Sequence, residues 1–551
     1  MHAAPGDDLP RWSLPSWDRW HDALSGPARA ALEDVLAAGL PLRRWFGSKT
    51  RRIRAVRLLD SFPVSHAVQL ALFEVQFADG PSEIYQLPLA FAELDRAMDV
   101  LANAPSSVWA HVHRDDKAGP AVVYDALVDD TFGDALLSIF DERGTLAGDT
   151  GQLIADTSPV YLELRGANDK RLPTRLLQAE QSNSSIVFGN RLILKLFRRL
   201  EMGTNPDLEL IAHLTRQGFA HVPPLAGSIA FLRDGQHPWA LAVLQRFVPN
   251  QGDAWQWFLS RLEPFLAQAA EGGPPPKAFL PSTKKSLAAA AQQQVPAIVA
   301  TALELFLPDA QRLGQRTAEM HLALAAGEET AIMPEPFESD DRRRMADGAN
   351  AMVKQAFELL RLHAPRLEGD VRRRADDVLA RRAQATRLIE RFAEQPLDVQ
   401  QIRCHGDYHL GQVLVAGGDY QIIDFEGEPA RSLAERRRKQ LALRDVAGMI
   451  RSFHYAACAA AMQAKQSRPS ADQAAIDAWA AGWYHGTACA FLNTYRTIAG
   501  NAHFLPHAPD QFELALDVCV LDKAMYELRY ELNNRPDWVY LPLAALDELL
   551  T

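Results

Sequence analysis

The first hundred residues show the alternation of apolar and polar side chains that is typical of half-buried strands. Apolar residues also recur at helical spacing before and after the alternating part, at residues 28–38 and 91–101. We therefore predict a small unit of mixed strands and helices over residues 1–104. The alternating segments are residues 53–59, 67–77 and 83–89.

Short apolar segments and turns continue through residues 105–250 and predict a second, strand-rich subdomain. Beyond it, residues 251–551 show mainly helical periodicity, including an amphipathic helix at 313–324 whose His321 we expect to be a core histidine. The strands predicted in the middle region are residues 121–124, 158–164, 174–177, 186–188, 192–197 and 239–248.

One lysine stands inside the apolar strand at residues 192–197. Lysine is rarely buried without a partner, so Lys195 needs an anion. A Thr-Asn-Pro sequence at residues 204–206 predicts a helix start, and Glu209 lies within that helix. Kinases position nucleotide phosphates with such a strand lysine and helix glutamate. A lysine that extends from the strand edge into solvent is the alternative.

Two further segments of the middle region are candidates for nucleotide binding. The apolar strand at 239–248, which contains Gln245 and Phe247, would be the hinge that meets adenine in a kinase, or else an ordinary core strand. A polar turn before residue 186 offers N–H groups and hydroxyls that would cover phosphates. The residues assigned to that turn are Ser182, Asn183, Ser184 and Ser185.

The candidate catalytic groups surround one hairpin in the second half of the chain. A His-Gly-Asp sequence, with His405 and Asp407 at its ends, precedes the hairpin, and an Asp-Phe-Glu sequence from Asp424 to Glu426 ends it. Gln412 follows Asp407 by five positions, which is the spacing of the kinase catalytic loop, and Asp424 stands where the kinase D-F-G motif would. Asp407 would accept the proton of the acceptor hydroxyl. Gln412, Asp424 and Glu426 would hold Mg²⁺, because hard cations prefer oxygen ligands.

A helix near the end of the chain carries aromatic and acidic residues in pairs. Tyr526 and Tyr530 are four positions apart, as are Glu527 and Glu531, so each pair lies on one helix face. Aromatic planes beside carboxylates suit a sugar, which offers apolar C–H faces and many hydroxyls. An aromatic stripe facing the core is the alternative.

Composition and charge narrow the function class. The net charge of −11 argues against a nucleic-acid partner. No apolar run approaches the roughly 18 residues that span a bilayer, and the start of the chain lacks the pattern of a signal peptide. Four widely spaced cysteines without a C-x-x-C pair indicate free thiols in a reducing compartment. We expect a cytoplasmic protein without a membrane partner.

The stretches H-G-D-Y-H-L-G-Q-V-L at 405–414 and I-D-F-E-G-E-P at 423–429 resemble the aminoglycoside-phosphotransferase-like kinases. Within that group they are similar to the maltokinase family. The sequence R-W-F-G-S-K at 44–49 and Y-E-L-R-Y-E-L-N-N-R-P-D-W at 526–538 are similar to the same family. The resemblance touches both ends and the centre, and so covers most of the chain.

This resemblance implies an α+β, bilobal protein-kinase-like fold with an N-terminal cap subdomain (1–104), a β-rich intermediate subdomain (105–250) and a mainly α-helical C-lobe (251–551). It implies ATP and Mg²⁺ as cofactors. It implies phosphorylation of maltose at the anomeric hydroxyl to maltose 1-phosphate, on the route from trehalose to glycogen, with a possible association with trehalose synthase. The substrate residues expected are His409, Arg431, Lys523, Tyr526, Glu527, Tyr530, Glu531, Asn534, Arg535 and Trp538.

Other interpretations of the same residues stay open at this point. One is a kinase of a different sugar, an aminoglycoside or a choline-like amine. Another is a non-catalytic nucleotide-binding regulator of trehalose synthase, against which the intact Lys195, Asp407 and Asp424 count. The basic-aromatic loop at 44–49 could meet a phosphate or a sugar, or form a solvated edge. Asp445 could brace the catalytic loop or simply begin a helix.

Overall fold

The computed structural model describes residues 11–14, 20–114, 119–167, 171–177, 182–280, 286–469 and 472–550. It divides into two compact units. The first unit comprises Met1–Ala212 and Pro223–Pro249, and the second comprises His213–Val222 and Asn250–Thr551. Across the described residues, no helix is both long and apolar enough to cross a membrane.

The first unit is built from two sheets with a few helices. Its helices are α1 Gly26–Gly39, α2 Leu94–Asn103, α3 Asp130–Glu142 and α4 Tyr161–Arg165, and α5 Pro206–Arg216 begins in it. Its strands are β1 Arg11–Leu14, β2 Ile53–Pro63, β3 Val68–Phe77, β4 Glu83–Glu93, β5 Val108–Arg114, β6 Ala121–Asp125, β7 Thr145–Ala147, β8 Gln152–Thr157, β9 Thr174–Leu177, β10 Ser184–Phe188, β11 Leu192–Leu196, β12 Arg199–Leu200, β13 Leu225–Leu232 and β14 Trp239–Arg246.

The first sheet has the order β1-β5-β6-β4-β3-β2, with β12 beside β4, and the second has the order β7-β8-β13-β14-β11-β10-β9. Neighbouring strands pair antiparallel, apart from the parallel pair of β1 and β5. The cap predicted over residues 1–104 ends inside the first sheet, because β5 and β6 lie beyond residue 104 and β6 pairs with β4. The first sheet thus continues to Asp125 and also takes in β12 from later in the chain.

The two faces of the first sheet are buried in different ways. On one face, α1 and the aromatic residues Trp20, Phe46 and Trp109 form a core that belongs to this sheet alone. On the other face, residues such as Phe62 and Leu70 share a core with residues of the second sheet. Because burial of apolar surface is the main stabilising term, this shared core makes the two sheets one structural unit.

A buried arginine connects the two sheets of the first unit. Arg198, only 2% exposed, lies between β11 and β12 and donates to the Asp125 carboxylate at 2.6 Å. Its Nε donates to Ser184 Oγ, at the start of β10, at 2.9 Å. Its guanidinium also lies 4.6 Å from the centre of the Trp45 ring. A cation buried this deeply needs such partners, because an unpaired buried charge is costly.

The second unit is mainly helical, with two small two-stranded sheets, of which β17–β18 is a hairpin and β15–β16 is not. Helix α14 is buried along most of its length and packs against α6, α15 and α16. The helices and strands of the second unit are α6 Ala254–Glu271, α7 Leu287–Ala290, α8 Ala297–Ala302, α9 Leu307–Ala325, β15 Glu335–Pro336, α10 Ser339–His363, α11 Gly369–Ala380, α12 Arg382–Glu394, β16 Gln400–Gln401, β17 Val413–Ala416, β18 Asp419–Ile422, α13 Leu433–Arg436, α14 Leu443–Ser467, α15 Gln473–Ala499, α16 Pro509–Asn534 and α17 Tyr540–Leu549.

Most of the local predictions are confirmed. The α+β composition, the hairpin β17–β18 and most of the predicted strands of the first unit lie where the patterns indicated, whereas β1, β5, β7, β8, β12 and β13 were not predicted. Helix α5 begins at Pro206, and Asn205 caps it by accepting from the Leu208 N–H at 3.2 Å. The strand predicted at 158–164 is wrong, because residues Tyr161–Arg165 form α4. This helix turns Tyr161 and Arg165 towards Asp141 of α3, which no alternation rule reveals.

Candidate active site

The catalytic loop lies in the second unit, between β16 and the hairpin β17–β18. Asp407 is partly buried, and a short 3₁₀ turn, Leu410–Gln412, connects it to β17. The imidazole of His409 caps this turn by accepting from the Gly411 N–H at 3.1 Å. Hydrogen bonds within the loop and to its neighbours therefore fix the base on a rigid element.

The candidate base is paired with a lysine. Lys523 Nζ, on α16, lies 3.2 Å from Asp407 Oδ1. Burial alone would raise the pKa of Asp407, but the Lys523 ammonium, helped by His409 and His405, outweighs burial and lowers the pKa below its usual value. Asp407 is thus a carboxylate at neutral pH, as a proton acceptor must be. Lys523, expected to bind substrate, contacts the base itself.

The predicted metal ligands meet at the end of the hairpin. Gln412 Nε2 donates to Asp424 Oδ2 at 2.9 Å, so its Oε1 is the atom that a cation would use. One carboxylate oxygen of Asp424 lies within 4.8 Å of one of Glu426. All three side chains offer oxygen, and this donor set fits Mg²⁺. Asp424 also has φ of 67°, a left-handed conformation that aspartate tolerates better than most residues.

His405 has a supporting position. It is 1% exposed, and its Nε2 lies 2.9 Å from the Ile423 carbonyl oxygen. Its ring packs on Phe425 with a centroid distance of 4.7 Å. His405 was predicted to be catalytic, and in this position it joins the catalytic loop to the Asp-Phe-Glu segment rather than presenting a nitrogen to solvent.

Asp445 braces the catalytic loop. Its carboxylate accepts from the backbone N–H groups of His405 at 2.7 Å and Gly406 at 2.9 Å. His321 of α9 contacts the same carboxylate at 3.1 Å, and its other nitrogen lies 2.9 Å from the Tyr495 hydroxyl. Burial opposes ionisation of Asp445, but His321, His405 and the amide bonds lower its pKa. Of the two interpretations of Asp445, the geometry favours the brace, and His321 is a core histidine as expected.

Two glycines allow the loop and the Asp-Phe-Glu segment to meet. Gly406 has φ of 85° and Gly427 has φ of 73°, both in the left-handed region. A methyl group on Gly406 would lie 3.2 Å from Cα of Gly427. The backbones approach closely here because neither residue has a side chain, which explains the glycines in both motifs.

A cavity of about 1090 Å³ lies beside the catalytic loop, within the second unit. A smaller cavity next to it is lined by Asp407, Lys523 and Gly406. The two cavities share several lining residues, so the large one leads to the candidate base. The shared residues are Glu428, Arg431, Arg444, Asp522 and Tyr526.

The charged residues of this shared wall are paired. Arg431 donates to Glu428 at 2.5 Å, and Arg444 lies 3.2 Å from Asp522. Burial and the Glu428 carboxylate together raise the pKa of Tyr526 to about 12, so its hydroxyl stays protonated. The wall therefore offers paired charges and a phenol that can bind hydroxyl groups.

The predicted substrate residues fall into two groups. Arg431, Tyr526, Tyr530 and Asn534 line the large cavity, and Tyr530 is 44% exposed there. His409 lies on the loop, 3.9 Å from Asp407. The rest lie elsewhere among the described residues, and neither of these two cavities is lined by them. They are Glu527, Glu531, Arg535 and Trp538.

Glu527 and Glu531 hold the interior of the second unit together. Glu527 accepts two hydrogen bonds from Arg451, which is 1% exposed, at 2.9 and 2.7 Å. Glu531 is itself 1% exposed and accepts from Arg535 at 2.8 Å and from the Tyr455 hydroxyl at 3.2 Å. These carboxylates are engaged in buried ion pairs, which explains the four-residue spacing without a sugar.

The predicted nucleotide residues lie in the first unit. Lys195 Nζ lies 3.0 Å from Asp207 Oδ2, so the structure pairs the strand lysine with an acid two positions before the predicted Glu209. Asp207 stands at the exact start of α5, where its carboxylate also faces the positive end of the helix dipole. The sequence correctly predicted an anionic partner for Lys195. It did not identify Asp207, because the acid of α5 that faces the lysine depends on the rotation of the helix about its axis.

The polar turn at 182–185 and the strand predicted as the hinge both lie in the first unit, and their residues contact other residues of that unit. Ser182 and Asn183 precede β10, and Ser184 and Ser185 are its first, buried residues. Gln245 donates to the Pro223 carbonyl at 3.0 Å. The Phe247 N–H donates to the Arg191 carbonyl at 2.8 Å, so this N–H is used within the first unit.

The basic-aromatic loop at 44–49 packs inside the first unit. Phe46 is 1% exposed and stacks near Tyr85, with ring centres 5.1 Å apart. Ser48 donates to Glu83 at 2.9 Å, and Trp45 contacts Arg198 as described. The loop thus joins α1 to the first sheet. Its aromatic residues pack inwards, whereas Arg44, Gly47 and Lys49 are exposed, as the interpretation of the loop as a solvated basic edge expects.

Three functional candidates were missed from the sequence. Glu428 lies in the D-F-E-G-E-P stretch and lines the cavity, and Asp522 immediately precedes Lys523. Asp207 is the third. Each lies within two residues of a predicted position, so the spacing of the motifs pointed to the right segments but not to these three acids.

Comparison with known proteins agrees with this geometry. Residues 40–129 match the model of the maltokinase N-terminal cap domain, and residues 258–428 match the phosphotransferase enzyme family. A glucosamine kinase of Streptacidiphilus jiangxiensis is 30% identical over 379 residues, covering 67% of this chain and 72% of that protein. The chain belongs to the phosphotransferase enzyme family. It is an aminoglycoside-phosphotransferase-like kinase with a hydroxyl acceptor.

Two further relatives of this phosphotransferase support the assignment. A glucosamine kinase of Mycolicibacterium smegmatis is 27% identical over 378 residues, covering 68% of this chain and 79% of that protein. A solved glucosamine kinase in complex with glucosamine, ADP and inorganic phosphate aligns over 94% of this chain and 99% of its own, with a TM-score of 0.59 and 21% identity. The structural likeness shows the kinase fold that the sequence resemblance implied.

Proposed function

We propose that this phosphotransferase transfers the terminal phosphoryl group of ATP to a hydroxyl of a neutral sugar, with maltose and its anomeric hydroxyl as the first candidate. The observation that carries the proposal is the cavity of about 1090 Å³ that leads to Asp407. This volume lies just above the roughly 300–1,000 Å³ of small-molecule sites, so the cavity has room for a disaccharide.

The proposed reaction assigns a role to each group of the candidate site. Asp407 would accept the proton of the acceptor hydroxyl as its oxygen bonds to phosphorus and the bond to ADP breaks. Lys523 keeps Asp407 ionised, and Asp445 holds the loop by its amides. Gln412, Asp424 and Glu426 would hold Mg²⁺, which neutralises charge on the phosphates. In the first unit, Lys195 is assigned to the nucleotide phosphates.

The charge of the cavity favours a neutral sugar over an amino sugar. Eight arginine and lysine residues line it, against five aspartate and glutamate residues. Glu428 and Asp522, the acids that line both this cavity and the smaller one at Asp407, are already paired with Arg431 and Arg444. A protonated amine would be repelled by the net positive charge of the lining. A sugar hydroxyl group can instead donate to the carboxylate of an ion pair or accept from its guanidinium.

Glucosamine is the second candidate acceptor, since two curated relatives are named glucosamine kinase. A third possibility is that the protein is a non-catalytic, nucleotide-binding regulator of trehalose synthase. An active kinase of the trehalose-to-glycogen route would also be expected to associate with trehalose synthase. These candidates differ in what they turn over, so one assay separates them.

The assay measures ADP release by the purified protein with ATP and Mg²⁺ in the presence of maltose, glucose, trehalose, glucosamine or an aminoglycoside. We expect maltose to give the highest kcat/KM, and Asp407→Asn to lower kcat about 10²- to 10⁴-fold. Asp377→Asn, an exposed aspartate of α11, is the matched control. Preference for glucosamine would reject the neutral acceptor, and ATP binding without turnover of any acceptor would support the regulator.

A further inference from the structure

A separate cavity of about 510 Å³ lies in the second unit, beside the end of α15 and the start of α16. It shares no lining residue with the cavities at Asp407. Among the described residues that line it, none is acidic. Its polar lining residues are Gln292, Asn493, Arg496, Thr497, Asn501 and His507.

Arg496 is the unusual residue of this cavity. Its Nη1 is buried and has no hydrogen-bond partner in the part of the chain that the structure describes. One face of the guanidinium lies over the Phe512 ring, 4.3 Å from its centre. Burial lowers the pKa of Arg496, and no acidic residue lines the cavity among the described residues. Arg496 is half-buried, and an oxyanion in the cavity would give its guanidinium a charged partner.

The neutral groups around Arg496 suit the rest of a sugar. Asn493 donates to the Ala291 carbonyl, just after α7, at 2.6 Å, and Thr497 donates to the Asn493 carbonyl of its own helix at 2.8 Å, so both side chains are held in place. Gln292 and Asn501 add amide donors and acceptors to the lining. Amides and hydroxyls bind sugar hydroxyl groups, and the volume lies within the range of small-molecule sites.

We propose that this cavity binds a small phosphate ester of a sugar, with the phosphoryl group on Arg496 and the hydroxyl groups on the surrounding amides. The planar guanidinium matches the oxygens of a phosphoryl group in a two-pronged contact. The stacked Phe512 ring fixes the plane of the guanidinium and leaves its edge for the ligand.

The proposed site is connected to the catalytic loop through adjacent side chains. Tyr495, the neighbour of Arg496 on α15, contacts His321, which contacts Asp445. Asp445 accepts from the amides of the loop. The segment that lines the cavity also carries Phe504, whose ring lies 6.0 Å from that of His321. Occupation of the cavity would therefore order the loop that holds Asp407, which makes Tyr495 and His321 positioning residues.

Calorimetric titration without ATP tests the site independently of kinase activity. The probes are α-D-glucose 1-phosphate, inorganic phosphate, citrate and glucose. We expect saturable binding of glucose 1-phosphate, weakened about tenfold or more by Arg496→Gln and unchanged by Arg387→Gln, an exposed arginine of α12. The proposal would be overturned if glucose 1-phosphate did not bind. It would also be overturned if Arg496→Gln left the binding unchanged, as expected for a ligand that binds in the catalytic cavity. Stronger binding of citrate would overturn the ligand class.

A second variant keeps the test valid if Arg496→Gln unfolds. Asn501 is exposed at the cavity, and Asn501→Asp adds a charge that repels an oxyanion without disturbing the core. Hydrogen exchange of the Gly406 and Asp407 amides is the readout of the connection. We expect glucose 1-phosphate to slow their exchange in the wild type and not in Arg496→Gln. Bound ligand with unchanged exchange would overturn the link to the loop.

Discussion

The carboxylate of Asp445 accepts a hydrogen bond from the backbone N–H of His405 at 2.7 Å. It accepts a second from the following amide, that of Gly406, and Asp445 and His405 are each 1% exposed. The loop that carries the candidate base is thus held by its main chain, from a helix that begins at Leu443. The Asp445 carboxylate therefore positions the main chain that carries Asp407.

Asp445→Asn should lower both stability and turnover. The amide keeps one oxygen, so one of the buried loop N–H groups loses its acceptor, at about 1–3 kcal/mol. We expect the midpoint of urea unfolding to fall and kcat to fall with little change in the KM for ATP. Urea denaturation and steady-state kinetics measure the two effects. Unchanged kcat in a destabilised variant would show that Asp445 serves folding alone.

Lys523→Met should move the acidic limb of the pH profile to higher pH. The ammonium stabilises the ionised form of Asp407, so its removal raises the pKa of that carboxyl. A base with a higher pKa becomes protonated at a higher pH, and activity is lost earlier on acidification. The measurement is kcat/KM against pH. An unshifted limb would mean that Asp407 does not titrate in the observed step.

Gly406→Ala should cost more than the same change at Gly417. Both glycines have positive φ, of 85° and 60°, so each alanine bears a backbone penalty of about 1–2 kcal/mol. A methyl on Gly406 would also lie 3.2 Å from Gly427, whereas nothing lies within 4 Å at Gly417. Thermal unfolding of the two variants, with kcat, isolates the contact. Equal losses would show that only φ matters.

Tyr530→Ala and Glu527→Gln should separate binding from folding. Tyr530 is exposed in the cavity, so its loss should raise the KM for the acceptor well above its effect on ATP. Glu527 holds the buried Arg451, so its change should lower the melting temperature and leave that KM nearly unchanged. An acceptor KM that responds equally to both changes would contradict this division of α16.

The motif chemistry could be predicted from the sequence, because it depends on spacing along one hairpin. Asp407, Gln412 and Asp424 follow from intervals that β17 and β18 preserve. The partners could not be predicted, because they come from elements distant in sequence. Lys523 of α16 forms an ion pair with Asp407, and Arg451 of α14 forms one with Glu527. An acidic and aromatic helix shows the same spacing whether it faces a sugar or an arginine.

Arg198 makes the two sheets of the first unit depend on each other. Its guanidinium donates to Asp125 of the first sheet and to Ser184 of the second. A chain shortened to begin after β6 would therefore leave a buried cation without its carboxylate and remove one side of the shared core. The second sheet thus depends on the first for both its charge balance and its apolar core.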